Sequence, residues 1–155
     1  LPDAPHTLQI TLLIAAPRAA VWRCWTEADL LKQWYCPAPW VVAKADMDVR
    51  PGGRFNTVFA GPEGERMDNV GSFLEVLPQQ RLVFTDAFAE NFVPRPDSFM
   101  TGFVELSDKG AGGTHLRWGA RHTSAEQAAK HAEMGFEPGW NAAVDQLEKL
   151  AQSLK

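Results

Sequence analysis

The C-terminal segment GWNAAVDQLEKLAQSL, residues 139–154, sets the architecture of the whole chain. Its apolar side chains recur at spacings of four, three, four and three, at Trp140, Val144, Leu147, Ala151 and Leu154. This spacing predicts an amphipathic helix with one apolar face. Because such a face must be buried against another layer, the preceding residues have to supply a surface for it.

The residues before this helix alternate between apolar and polar types, as strands do. HTLQITLLI, residues 6–14, is the first such segment, and further strands are predicted at 41–49, 54–60, 67–77, 81–88, 98–106 and 114–122. Two short helices are predicted between the first two strands. One covers 18–26 and the second follows it directly. Another helix is predicted at 125–134. The segment 135–139 is expected to separate that helix from the last one.

This order predicts an α+β fold in which a curved antiparallel sheet of six or seven strands wraps around the long C-terminal helix. All 155 residues are expected to form one domain. A twisted sheet around a single helix leaves a hollow between them, and ligand sites are commonly apolar clefts of that kind.

The composition is that of an ordinary soluble protein, with 45% hydrophobic residues, 22% charged residues and a net charge of -4. The mild acidity and the lack of a Lys/Arg cluster argue against nucleic acid as a partner. No apolar run approaches the ~20 residues of a membrane span. No secretory signal is visible, so the cytoplasm is the expected location.

The aromatic residues cluster in VWRCWTEADLLKQWYCPAPW, residues 21–40, which holds four of the six tryptophans. Trp22 and Trp25 are expected in the core, because buried aromatic side chains mainly supply contact area. Trp34, Tyr35 and Trp40 surround a stiff Cys-Pro-Ala-Pro loop, and either line a pocket entrance or simply pack. As an exposed patch they would instead favour a protein partner or a homodimer.

The chain contains no recognisable catalytic or metal-binding motif. Its four histidines are scattered, and no pair has the spacing of metal ligands. Cys24 and Cys36 do not form a Cys-x-x-Cys motif, and a disulfide between them is not expected.

Two polar residues fall on strand faces that are otherwise apolar. His122 shares a face with Trp118 at the end of its strand. It is expected either to face the cavity, as an acid, a base or a ligand's hydrogen-bond partner, or to be a solvated strand-end histidine. Asp86 shares a face with Phe84 and is either a buried carboxylate in need of a partner or turned out to water by a bulge. Arg54 and Arg121 are candidate partners.

Four segments together resemble the START-like (SRPBCC) superfamily, with the helix-grip fold of the birch-pollen allergen and the polyketide cyclases. They are APRAAVWRCWTEADLLKQWYCP at 16–37, DVRPGGRFNTVFAGPEGE at 48–65, GSFLEVLPQQRLVFTDAF at 71–88 and MGFEPGWNAAVDQLEKL at 134–150. Within the superfamily the chain is most similar to the branch named for the activator of the 90-kDa heat-shock protein ATPase.

The resemblance and the abundance of Phe and Trp imply binding of a small hydrophobic or aromatic molecule in the cavity. A polyketide-cyclase-like or hydrolase-like enzyme and a chaperone regulator acting through its surface are the alternatives. No catalytic residue, cofactor or metal is assigned. The residues expected to bind the ligand are Trp34, Trp40, Phe55, Phe59, Phe73, Phe84, Asp86, Phe88, Met100, Trp118, His122, Met134, Phe136 and Trp140.

Overall fold

The structure, a computed structural model, describes residues 1–154 and confirms the α+β helix-grip prediction. A 3₁₀ turn at Glu90–Phe92 accompanies ten strands and four helices. In chain order these are β1 (Thr7–Ile14), α1 (Arg18–Thr26), α2 (Ala28–Leu31), β2 (Val41–Met47), β3 (Phe55–Ala60), β4 (Arg66–Asn69), β5 (Ser72–Leu77), β6 (Arg81–Thr85), β7 (Phe88–Ala89), β8 (Val93–Pro94), β9 (Thr101–Asp108), β10 (Thr114–Arg121), α3 (Ala125–Glu133) and α4 (Phe136–Ser153).

The strands are antiparallel and form two main sheets. The larger sheet has the order β1-β10-β9-β6-β5, and the smaller has the order β2-β3-β4. The two meet where the amide of Phe55 donates to the carbonyl of Gly71 at 2.9 Å. The chain bends there, so the single strand expected at 67–77 is in fact two strands, β4 and β5, which belong to different sheets.

A second difference concerns the strand expected at 81–88, which ends at Thr85. The carboxylate of Asp86 accepts backbone hydrogen bonds from Phe99 and Met100. These bonds take the chain out of the sheet, and Phe88 then pairs with Pro94 in a separate two-stranded ribbon. The alternation of apolar and polar residues therefore corresponds to a strand of the large sheet only as far as Thr85.

Helix α4 begins at Phe136, four residues earlier than the apolar stripe alone suggests. Gly135 precedes it with φ 92°, a left-handed conformation that glycine adopts without steric cost. Pro138 fits inside the first turn, where a missing N–H breaks no helical hydrogen bond. Of the expected interruption at 135–139, only Gly135 lies outside the helices, together with Met134, which was expected to end the preceding helix.

The core lies between the inner face of the large sheet and helix α4. Val144, Leu147 and Ala151 of α4 are buried, and α1 adds Val21 and Trp25. Each fully buried large side chain of this kind contributes about 1.5–3 kcal/mol relative to exposure. The helix-to-sheet packing thus provides the principal stabilisation of the fold.

Cys24 and Cys36 are both buried free thiols. Within residues 1–154, no helix has the length and apolar character needed to cross a membrane. Over the same residues, no group of three or more His, Cys, Asp or Glu side chains is placed to hold a metal ion.

Candidate ligand cavity

A cavity of about 520 Å³ opens between both sheets and the two C-terminal helices. Strands β3 and β6 and the end of β4 form one side, and helices α3 and α4 form the other. Eight residues expected at the site line it: Phe55, Phe59, Phe84, Asp86, Met100, Trp118, Met134 and Trp140. The strand residues among them reach it because their side chains point to the inner face of the sheets.

The other six expected residues lie outside the cavity lining. Three of them are buried behind residues that form the wall. Phe73 stacks behind Phe55 at 4.8 Å between ring centroids, and Phe136 packs against Trp140 at 4.4 Å. His122 is hydrogen-bonded behind His131, which is the histidine that lines the cavity.

The remaining three are Trp34, Trp40 and Phe88. Trp34 is 1% exposed, and its indole N–H donates to the carbonyl of Cys24 at 2.8 Å. Phe88 lies beyond the end of β6, and Trp40 lies beyond the Cys-Pro-Ala-Pro loop, so neither reaches the lining.

The exposed aromatic patch considered for a protein partner is absent from residues 34–40. Trp34 is in the core, and Tyr35 lines the cavity. Tyr35 is also half-buried, and burial, aided by the neighbouring Cys36 thiol, raises the pKa of its phenol. It is therefore an uncharged phenol in the wall at neutral pH.

Gln146 of α4 holds the loop that carries Tyr35 and Pro37 to the cavity. Its side-chain amide donates to the carbonyls of Trp34 and Cys36, each at 2.9 Å, and its carbonyl accepts from the amide of Ala38 at 3.1 Å. Three bonds from one side chain fix this loop against α4. No local pattern in the sequence marks Gln146, because its partners lie about a hundred residues away.

Thirteen further residues line the cavity, and of these only Tyr35 is a candidate from the sequence, as a residue that either lines a pocket entrance or simply packs. They come mostly from strand ends, loops and helix α3, whose positions depend on tertiary packing. They are Tyr35, Pro37, Thr57, Met67, Asn69, Val70, Gly71, Thr85, Phe99, Lys130, His131, Gly139 and Ala143. Among these, the burial of His131 could have been read from its three-residue spacing from Ala128 on one face of α3.

Asp86 lines the cavity as an anchored carboxylate. It accepts hydrogen bonds from the amides of Phe99 at 2.8 Å and Met100 at 3.2 Å, and from the hydroxyl of Ser98 at 2.8 Å. The candidate partners Arg54 and Arg121 do not pair with it. Arg54 contacts acidic groups elsewhere, and Arg121 donates to a backbone carbonyl. Its role is to hold the segment 98–100 against the cavity.

His131 forms a hydrogen-bonded pair with His122 at the end of β10. Nε2 of His122 lies 3.0 Å from Nδ1 of His131, and Nδ1 of His122 lies 2.9 Å from the carbonyl oxygen of Phe99. Burial lowers the pKa of His131 to about 4, with a further contribution from His122. His131 is therefore a neutral imidazole in the cavity wall at neutral pH.

The flat walls of the cavity are aromatic. Trp118 and Trp140 stack at 3.9 Å with an interplanar angle of 20°, and Tyr35 stacks on Trp118 at 6.0 Å and 26°. Such surfaces suit planar apolar molecules, because they offer large contact areas at a small cost in side-chain entropy.

Solved structures of other proteins share this fold over nearly the whole chain. A crystal structure of a protein from Nitrosomonas europaea is 40% identical, covers 97% of each chain and gives a TM-score of 0.92. One from Mycobacterium smegmatis is 27% identical, with a TM-score of 0.79 over 95% of this chain and 91% of that one. An AHSA1-like protein from Aeromonas hydrophila, at 22% identity, shares the fold with a TM-score of 0.67 over 94% of this chain and 93% of that one. No curated protein matches the chain.

One family model matches most of the length of this chain rather than a single motif. Residues 15–152 match the family model described as "Activator of Hsp90 ATPase homolog 1-like protein". That span includes the short helices, both sheets and helix α4 up to residue 152, and the resemblance to the START-like superfamily is confirmed with it. The chain therefore belongs to the family of Activator of Hsp90 ATPase homolog 1-like proteins.

Proposed function

We propose that this protein binds a small hydrophobic or aromatic molecule in the cavity between the sheets and helices α3 and α4. The observation that supports this most directly is the aromatic-walled cavity of about 520 Å³. Its volume falls in the range of about 300–1,000 Å³ that is usual for small-molecule sites. Burial of apolar ligand surface at roughly 25 cal/mol per Å² can drive binding without any catalytic group.

Most of the polar groups that line the cavity have hydrogen-bond partners within the protein. Asp86 is occupied by the amides of segment 98–100, and the hydroxyl of Thr85 bonds to Thr101 at 3.0 Å. The side-chain amide of Asn69 donates to the hydroxyl of Thr57 at 3.3 Å. The polar groups are thus largely paired within the wall, which keeps the interior compatible with an apolar molecule.

A cyclase-like or hydrolase-like enzyme is the second candidate, and one observation favours it. His131 is a neutral imidazole held in the cavity by His122, and such a ring can accept a proton from a bound substrate. Chemical change of a bound molecule over time, detected by mass spectrometry, would distinguish this candidate from simple binding.

The first experiment is native mass spectrometry of the purified protein, followed by solvent extraction and titration with an apolar fluorescent probe. A co-purified hydrophobic molecule, or one-to-one probe binding, is the expected result. Phe59→Ala should weaken probe binding about tenfold, because it removes half-buried wall surface. Phe92→Ala is the matched control, since Phe92 is 57% exposed and outside the lining. Failure of the wild-type protein to bind either kind of molecule would contradict the proposal.

A further inference from the structure

The hydrogen bonds of His122 and His131 run in one direction. The carbonyl oxygen of Phe99 can only accept, so Nδ1 of His122, 2.9 Å away, carries a proton. When both rings are neutral, Nε2 of His122 is consequently an acceptor, and Nδ1 of His131 must donate to it across 3.0 Å. This leaves Nε2 of His131 without a proton, as a hydrogen-bond acceptor.

The ring that carries this acceptor is enclosed by aromatic side chains. Phe99, Phe136 and Trp140 surround it, with ring centroids 5.0, 5.1 and 5.7 Å from that of His131. His131 is 8% exposed and lines the cavity. A ligand that fills the cavity would cover this nitrogen, and an acceptor buried without a donor costs about 1–3 kcal/mol.

Two other acceptors in the cavity wall already have donors. The carboxylate of Asp86 accepts from Ser98, Phe99 and Met100. The hydroxyl of Thr85 accepts from the amide of Ala87 at 3.1 Å. Nε2 of His131, in contrast, has no donor among residues 1–154 and is free to accept a hydrogen bond from a ligand.

We propose that the ligand of this cavity is a planar aromatic or conjugated molecule with a hydroxyl donor, a phenol or an enol, which binds to Nε2 of His131. The inference rests on the proposed binding function and adds to it the chemical class of the ligand. The hydroxyl donates to His131, and the ring plane lies within reach of the stacked Trp118 and Trp140. In this role His131 orients the ligand, and His122 keeps His131 in the tautomer that accepts.

The test compares 2-naphthol with 2-methoxynaphthalene, which has the same ring system but no donor. Apolar burial alone favours the larger ether, so a preference for the naphthol reports the hydrogen bond. In the wild-type protein at pH 8, 2-naphthol should bind about tenfold more tightly, as measured by displacement of an apolar fluorescent probe. Equal affinities, or tighter binding of the ether, would overturn the inference while leaving the binding function intact. Binding of neither compound would contradict the proposed function itself.

His131→Asn is the informative variant, because its amide can still donate to His122 but has no atom at the position of Nε2. The affinity ratio should fall to about one in His131→Asn and stay about tenfold in His115→Gln, whose histidine lies on β10 outside the cavity. An unchanged ratio in folded His131→Asn would contradict the role of His131.

A measurement on the wild-type protein keeps the inference testable if the variant does not fold. Nitrogen-15 NMR of the histidine rings should find the proton of His131 on Nδ1, and 2-naphthol should shift the resonance of Nε2. A proton on Nε2 in the neutral ring would overturn the inference, and so would a Nε2 resonance that 2-naphthol leaves unchanged.

Discussion

His122 and His131 connect the end of strand β10 to helix α3 through a single hydrogen bond of 3.0 Å between Nε2 of the first ring and Nδ1 of the second. Because His122 also bonds to the carbonyl of Phe99, the pair joins three segments of the chain at one end of the cavity. The pair contributes to stability as well as to the site, and its protonation should disturb both.

The first prediction is that the free energy of unfolding decreases as the pH falls from 6.5 towards 4. The pKa of His131 is lowered from 6.5 to about 4 in the folded protein, chiefly by burial. In that window the unfolded chain binds a proton that the folded chain does not, so acid favours unfolding. The loss should reach up to about 3 kcal/mol and stop growing below the folded pKa.

Urea denaturation followed by tryptophan fluorescence at several pH values measures this dependence. His131→Asn should show a flatter profile, because the asparagine keeps a donor to His122 but does not titrate. His115→Gln should keep the wild-type profile. A profile of undiminished steepness in folded His131→Asn would show that groups other than His131 carry the pH dependence.

The second prediction concerns Asp86, whose carboxylate holds segment 98–100. Asp86→Asn should destabilise the fold by about 1–3 kcal/mol, because an amide NH₂ would face backbone donors that the carboxylate now satisfies. Hydrogen exchange of the Phe99 and Met100 amides should become faster in the variant. Asp145→Asn, on the exposed side of α4, should change neither quantity. Unchanged exchange at both amides would contradict the anchoring role.

The third prediction is that both thiols are unreactive in the folded protein. Burial raises the pKa of Cys24 to about 11 and that of Cys36 to about 11. Since the thiolate is the nucleophile, iodoacetamide at pH 8 should alkylate neither cysteine in native protein and both in urea. Peptide mass spectrometry reads each site separately, and rapid native alkylation of either thiol would be inconsistent with its burial.

The sequence predicts the fold of this protein better than it predicts the site. The stripe on α4 and the alternation in β1 depend only on local periodicity, and the structure confirms both. Periodicity also identifies which side chains point inward, as it does for Phe55 and Trp118. It does not give depth, so it cannot distinguish Phe55, which lines the cavity, from Phe73, which is packed behind it.

The residues that the sequence does not reveal depend on contacts between distant segments. Gln146 acts on a loop more than a hundred residues away, and His131 takes its place in the wall through a bond to another element. Strand β6 ends before Asp86, although the alternation of apolar and polar residues in the sequence continues to Phe88. These features follow from tertiary packing, which no local pattern encodes.

The fourth prediction concerns Gly102, which lies directly opposite Phe84 in the β6–β9 pair. A Cβ atom at this glycine would lie 2.3 Å from Cε2 of the Phe84 ring, so the ring would have to move. Phe84 is buried and forms part of the cavity wall. Gly102→Ala should therefore destabilise the protein by about 1–3 kcal/mol and also weaken binding of an apolar probe.

Gly119 provides a control of the same chemistry on the other face of the sheet. A Cβ atom there would lie 2.4 Å from Cζ of Phe103, whose ring is covered by Arg117 at 4.9 Å rather than by the cavity. Gly119→Ala should lower the free energy of unfolding, measured by urea denaturation, by a comparable amount of about 1–3 kcal/mol. It should leave the affinity for the probe unchanged. If both variants weakened the probe equally, loss of binding would reflect general destabilisation. A loss confined to Gly102→Ala would show that the position of the Phe84 ring controls the space available to a ligand.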